Sequence, residues 1–400
     1  MKYSPRIIDI ENLDQVRTEL KNIGVDSSAL KIMTPKGVFR ALKIKKLKPI
    51  AANILKQEML SLGGEAAVAY GSINQSVRST DVLIFGTSRQ FLNLIEKLKL
   101  HNFDLPSLAS EIEFSLRAYE ANPKPIKVGN LKLEFGKRTY IMGVLNVTPD
   151  SFSDGGKFVR VDDAVSHAIQ MIKDGADIID VGGESTRPGA KSVTVKEELS
   201  RVIPVIEKLR KKTKIPISID TTKAQVAKVA IRAGANMVND ISGLHFDKKL
   251  AKIAARHGVP VVLMHIQGRP RTMQARPHYE DLIGEILDYL CKGIKIAEAQ
   301  GIYRENIIVD PGIGFGKTVE HNLGILRRLK ELRSLGRPIL IGTSRKSVIG
   351  KVLNLPVEER LEGGAATVTL SIANGADIIR VHDVKEMSRV AKMTDAVIRQ

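Results

Sequence analysis

Eight short runs of apolar and β-branched residues, each closing in a polar or glycine-bearing turn, predict an α/β protein whose larger part is a (β/α)8 barrel. Two further observations agree. The stretches between the runs are amphipathic, with apolar positions repeating at three and four, as in VDDAVSHAIQMIKDG, TKAQVAKVAIRAG and NLGILRRLKELRSLG. Gly-Ala-Asp or Gly-Ala-Asn also precedes three of the runs (175–177, 234–236, 375–377), where glycine ends a helix and the chain turns straight into a strand. Eight βα units in about 260 residues suit a closed parallel barrel better than an open doubly wound sheet.

In chain order the expected strands are 140–147, 177–181, 216–220, 236–240, 260–264, 306–310, 338–342 and 377–381, which gives the barrel residues 131–400. A smaller α/β domain over residues 1–128 precedes it. There ALKIKKL and the small-residue stretch GGEAAVAYGSI come before DVLIFGTSRQFLNLIEKLKL, which reads strand–turn–helix. ANPKPIKVGN (121–130), with its Pro, Gly and Asn, is the natural connector. LKLEFGKRTYIMGVLN then reads as a hairpin entering the first barrel strand, turning at Gly136. The first domain carries no motif of recognisable chemistry; a docking or dimer-stabilising surface is the expectation for it.

Composition removes several classes. The 400 residues are 43% hydrophobic and 26% charged, so collagen-like and disordered chains are excluded. The longest charge-free run, Gly363 to Ala376, is too short to span a bilayer, and the first residues contain no apolar signal core. A cytoplasmic protein without a membrane partner is expected. The single Cys291 excludes an internal disulfide and any cysteine-based metal cluster; it lies in the amphipathic ILDYLCKGI and reads as packing. The net charge of +18 is spread along the chain, as on a solvated lysine-rich surface, with attraction of a phosphorylated substrate as the functional reading. Aromatics are only 4%, with no Trp, and no groove-reading motif appears, so no nucleic-acid partner is expected.

A barrel keeps its chemistry at the C-terminal ends of its strands. Polar residues gather there: Asn146 ends the first run, Asp220 the third, Asn239 and Asp240 the fourth, and Asp310 the sixth. Ser344-Arg345-Lys346 follows the seventh, and Arg380 and His382 flank the end of the eighth. Any one of these could simply cap the following helix. Six rims together read as a catalytic face.

Five segments carry the chemistry. MGVLNVTPDSFSDGGKF (142–158) passes from a strand into a loop rich in Ser, Asp and Gly, able to offer N–H groups and hydroxyls to an anion. DVGGESTRPGA (180–190) presents Arg187, a planar fork for phosphate or carboxylate. DPGIGFGKT (310–318) is not a Walker loop, because Gly312 and Gly316 enclose three residues where that loop needs four. IGTSRKS (341–347) sets Lys346 just past a strand. IIRVHD (378–383) puts Arg380 and His382 two apart, on one side of a strand, where both could hold a diphosphate.

In this order and at these strand ends the five segments resemble the dihydropteroate synthase family, pterin-binding enzymes on a TIM barrel. NVTPDSFSDGG and GTSRKS are its signatures, and the resemblance covers residues 131–400. It implies condensation of 6-hydroxymethyl-7,8-dihydropterin diphosphate with 4-aminobenzoate to give dihydropteroate and pyrophosphate, assisted by Mg²⁺. It implies that Asn146 ligates Mg²⁺. Asp220, Asn239, Asp310 and Lys346 would hold the pterin, with Met264 and Phe315 as apolar neighbours. Arg380, His382 and Asn146 would surround the diphosphate, and Phe152, Thr186, Arg187, Pro188 and Ser347 would take aminobenzoate. The catalytic set implied is Asp220, Lys346, Arg380 and His382. Arg380 and His382 would neutralise the departing diphosphate, and anionic Asp220 would stabilise the cationic methylene left on the pterin. No covalent enzyme intermediate is expected, since Ser344 and Ser347 have no evident paired base. The family resemblance also implies a homodimer and susceptibility to sulfonamides, which mimic aminobenzoate.

A second activity uses a similar cradle: pterin-dependent methyl transfer to a corrinoid protein. Arg187 with Pro188, Lys346 and the Arg380/His382 pair favour the synthase. A third reading, a binding or regulatory protein, is disfavoured because nothing in 131–400 departs from the catalytic pattern. His245, His257 and His278 lack metal-ligand spacing and read as structural or surface residues, and His265 lies near the rim without an assigned role. GTSRQ (86–90) echoes GTSRK (342–346) but lacks the lysine, and reads as ordinary strand–turn–helix chemistry.

Overall fold

The computed structural model describes residues 3–148, 157–185 and 189–399, without the side chains of 157–160. The chain forms two compact units, residues 1–120 and 121–400.

In the first unit, β1 (Phe39–Leu47), β2 (Glu65–Val68) and β3 (Thr80–Thr87) form an antiparallel sheet in the order β1-β3-β2. Along β3 every second residue is buried, the period-two signature of a half-covered sheet. Val82 and Ile84 pack with Leu55 and Met59 of the helix Pro49–Ser61 and with Phe91, Leu94 and Leu98 of the helix Ser88–Leu98. The GTSRQ echo is a helix start: the Thr87 hydroxyl accepts from the Gln90 backbone N–H while the Gln90 side chain accepts from that of Thr87.

The second unit opens with a hairpin, β4 (Ile126–Val128) against β5 (Leu131–Leu133). The eight strands that follow are β6 (Tyr140–Asn146), β7 (Ile178–Gly182), β8 (Ile217–Asp220), β9 (Met237–Asp240), β10 (Val261–Met264), β11 (Ile307–Asp310), β12 (Leu340–Ile341) and β13 (Ile378–Val381). All pair in parallel, in the order β11-β10-β9-β8-β7-β6-β13-β12. A bridge from Val309 of β11 to Ile339, the residue before β12, joins the two ends of the sheet and closes the ring.

Alternation along each strand then divides the residues between two surroundings. Ile141, Ile179, Ile217, Val238, Val261 and Ile307 face the helices in the largest core, while their neighbours Met142, Ile178, Met237, Val262, Ile308, Leu340 and Ile378 fill the barrel interior. The hairpin residues Ile126, Val128 and Leu133, with Phe135, pack into that same interior cluster, so β4–β5 is a plug beneath the N-terminal ends of the strands.

This differs from the expected hairpin over 131–146. β5 pairs backwards with β4, the turn is at Gly129-Asn130, and Gly136 lies in a separate turn at φ +88°. The apolar alternation IKV…LKL is a two-sided signal, and the open end of the barrel, rather than a neighbouring barrel strand, takes up its apolar side.

Candidate active site

At the C-terminal half of each strand the interior-facing series continues, but its chemistry changes from apolar to polar. Met142 is followed at two-residue steps by Val144 and Asn146, Ile178 by Asp180 and Gly182, Met237 by Asn239, Ile308 by Asp310, and Ile378 by Arg380 and His382. Strand parity thus delivers these groups to one end of one barrel. A single cleft there is lined by Asp220, Asn239, Met264, Asp310, Phe315, Lys346 and Arg380, together with Ile241, Ile313 and Gly342. Seven of the residues named from sequence therefore share one cavity.

Arg380 organises its charges. Its Nε donates to Asp180 Oδ2 at 2.7 Å and its Nη2 to Asp220 Oδ2 at 2.8 Å. Asn239 Nδ2 donates to the same Asp180 oxygen at 3.0 Å. Burial pushes the Asp220 carboxyl up to about 7, against the pull of Arg380, with Asp180 adding to the rise. Asp310 is raised by burial to about 6, although its carboxylate accepts the Gly312 N–H at 2.7 Å. Burial and the neighbouring Arg380 lower Lys346 to about 8, and its ammonium stands 4.3 Å from the Phe315 ring centroid.

Glycines of the DPGIGFGKT segment allow close approach of neighbouring protein backbone. Gly312 has φ +70°, and a Cβ there would lie 2.0 Å from the carbonyl oxygen of His265. Packing against the segment 265–267 carries Phe315 to the cleft. Asp240, one residue beyond Asn239, has the opposite parity: its carboxylate accepts from the Ser242 and Leu244 N–H groups and serves the loop, the capping role considered for such residues.

Three participants went unassigned in the sequence. Asp180, wholly buried, stands at interior parity in DIIDV, and that parity was a usable signal. Lys317 is 3% exposed, donating to Phe315 O at 3.0 Å and contacting His265 Nδ1 at 2.9 Å; only packing reveals this. Ser344, for which no partner was evident in the sequence, lies 3.1 Å from His382 Nδ1, a contact that the loop geometry makes across 38 residues of chain.

Asn146 ends β6 beside Gly182, and its amide oxygen lies 3.8 Å from where a Gly182 Cβ would stand; Asp220 Cβ lies 3.6 Å from the same point. Among the described residues no group of three or more His, Cys, Asp or Glu is placed to cage a metal. One amide oxygen at an open rim fits a cation whose remaining ligands come from substrate and water, as Mg²⁺ prefers. Ser347 is exposed at the start of the helix Ser347–Leu353. Phe152, Thr186, Arg187 and Pro188 lie outside the described residues.

The family profile described as pterin binding enzyme matches residues 142–382, more than half of the chain. The chain belongs to the pterin-binding enzyme family. Within that family it is similar to the dihydropteroate synthase of Synechocystis, 53% identical over 278 residues that span 69% of this chain and 96% of that protein. A Clostridium difficile dihydropteroate synthase, solved in the presence of pteroic acid, is 53% identical with a TM-score of 0.64, covering 67% of this chain and 99% of that one. A probable bifunctional folylpolyglutamate synthase/dihydropteroate synthase of Halobacterium salinarum is 40% identical over 97% of this chain and 46% of its own length, so that likeness includes the first unit. This member of the pterin-binding family is a transferase with dihydropteroate synthase activity, in folate biosynthesis. No helix among the described residues is long and apolar enough to cross a membrane.

Proposed function

We propose that the cleft binds 6-hydroxymethyl-7,8-dihydropterin diphosphate with its ring against Asp220, Asn239, Asp310 and Lys346, flanked by Met264 and Phe315. The diphosphate then lies toward Asn146, Arg380 and His382. One observation carries this reading: seven side chains from six different strand ends line one cavity. The pterin edge presents N–H donors and a carbonyl, and two carboxylates, an amide and an ammonium complement it.

In the reaction the bond from the pterin methylene to the diphosphate oxygen breaks, and a bond from that carbon to the aminobenzoate nitrogen forms. Arg380 brings a guanidinium to the departing oxygens, and Asp220 sets negative charge beside the carbon that becomes electron-poor. The arylamine is a weak nucleophile, so departure precedes attack; the amine proton is lost after the new bond forms. Mg²⁺ would be held by Asn146 and would supply further charge neutralisation at the diphosphate. Phe152, Thr186, Arg187, Pro188 and Ser347 are proposed to receive aminobenzoate, and sulfonamides to compete there. A cytoplasmic homodimer is the assembly proposed.

A pyrophosphate-release assay with the dihydropterin diphosphate tests the reading. Release is expected to require the pterin substrate, to accelerate with 4-aminobenzoate and to fall when Mg²⁺ is omitted. Release indifferent to both 4-aminobenzoate and Mg²⁺ would overturn it.

A further inference from the structure

Two adjacent contacts join the loop after β12 to the loop after β13. Arg345 Nη2 donates to Asp383 Oδ1 at 2.5 Å, and its Nε to Oδ2 at 3.3 Å. Beside it, Ser344 Oγ lies 3.1 Å from the backbone nitrogen of His382 and 3.1 Å from Nδ1 of the same residue. Ser344 is 7% exposed.

A serine hydroxyl has one proton to give and two lone pairs to receive. The backbone N–H of His382 is only a donor, so it occupies a lone pair. Among the hydrogen bonds of the described residues, the Ser344 proton has one acceptor, Nδ1 of His382. A protonated Nδ1 would leave that buried hydroxyl proton without an acceptor. The ring is therefore neutral, with its proton on Nε2. The charges agree: burial, Arg380, Arg345 and Lys346 all disfavour an imidazolium and outweigh Asp383, taking His382 down to about 3.

We propose that Ser344 is a positioning residue for the reaction. It fixes His382 as the neutral Nε2–H tautomer, and so makes it a hydrogen-bond donor to the diphosphate rather than a cation or a general base. The geometry superficially matches a serine nucleophile with its histidine base. Two features oppose that role: the oxygen is buried and already accepts a backbone N–H, and burial with the neighbouring cations lowers the ring's basicity. The companion contact, Arg345 with Asp383, holds the loop independently, so Ser344→Ala is expected to fold. The proposal rests on the assignment of His382 to the diphosphate.

The test combines a double-mutant cycle with ring nitrogen NMR on the full chain. S344A is expected to raise KM for the dihydropterin diphosphate about tenfold, the loss of one well-placed hydrogen bond, with KM for 4-aminobenzoate unchanged. Because Ser344 acts only through His382, S344A/H382A should be no worse than H382A alone. Long-range proton–nitrogen spectra of the unmodified protein should show His382 protonated at Nε2 and bare at Nδ1, and S344A should release that preference. A proton on Nδ1 in the unmodified protein, or losses that add in the double variant, would overturn the role of Ser344. An unchanged pterin KM in H382A would instead overturn the diphosphate assignment beneath it.

Discussion

Burial brings Asp220, Asp310 and Lys346 close to neutrality in their titration, and this has a direct consequence for rate. The carboxylates, at about 7 and about 6, carry charge only above those values; the lysine, at about 8, carries charge only below its own. The form with all three charged is most populated between about 7 and 8, so kcat/KM for the pterin substrate should follow a bell against pH. Lys346→Arg should extend the alkaline limb upward, because a guanidinium stays charged. A flat profile between pH 6 and pH 9 would contradict the assignment. Asp220→Asn keeps shape and removes charge. It should lower kcat about a hundredfold or more while leaving circular dichroism unchanged, in the range seen when a group acting on transition-state charge is lost. Near-normal kcat would remove the electrostatic account.

Three of the eight barrel strands are entered by the same device. Gly175, Gly234 and Gly375 end helices with φ between +93° and +119°, and the Asp or Asn two residues later accepts a strand N–H. Asp177 takes that of Ile141 at 2.9 Å, Asn236 that of Ile217 at 3.2 Å, and Asp377 that of Ile339 at 2.9 Å. The glycine supplies the left-handed turn and the polar side chain satisfies the N–H of the preceding parallel strand. Ile339 is fully buried, so Asp377→Ala strands its N–H and should cost about 1–3 kcal/mol in urea unfolding. Asp377→Asn, which keeps an acceptor oxygen, should cost less. The Gly-Ala-Asp repeat was legible in the sequence as a helix stop. Its second half was not, because the partner N–H lies on a strand as many as 38 residues away.

At the scale of the molecule the two units have separate cores, and the hairpin that plugs the barrel belongs with residues 121–400. The Synechocystis relative is matched over 96% of its own length by only 69% of this chain. Residues 121–400 alone should therefore unfold cooperatively and keep kcat/KM within about twofold of the full chain, as expected of a domain with its own core. Aggregation of that fragment would show that the barrel needs the first unit to stay folded, and loss of most of its turnover in a folded fragment would show that activity depends on the first unit.

The barrel and the reacting end of it were determined by the sequence itself, because both rest on periodicity. Two-residue alternation fixes which residues enter a barrel interior, and the change from Met142 to Asn146, or from Ile378 to Arg380, is printed along each strand. Tertiary structure decided the rest. It turned β5 onto β4 as a plug, set Arg380 between Asp180 and Asp220, buried Lys317 against His265, and joined Ser344 to His382. Those contacts link positions far apart in the chain, and burial shifted the charges at several of them; neither distance in space nor loss of solvent has a local signature in the order of residues.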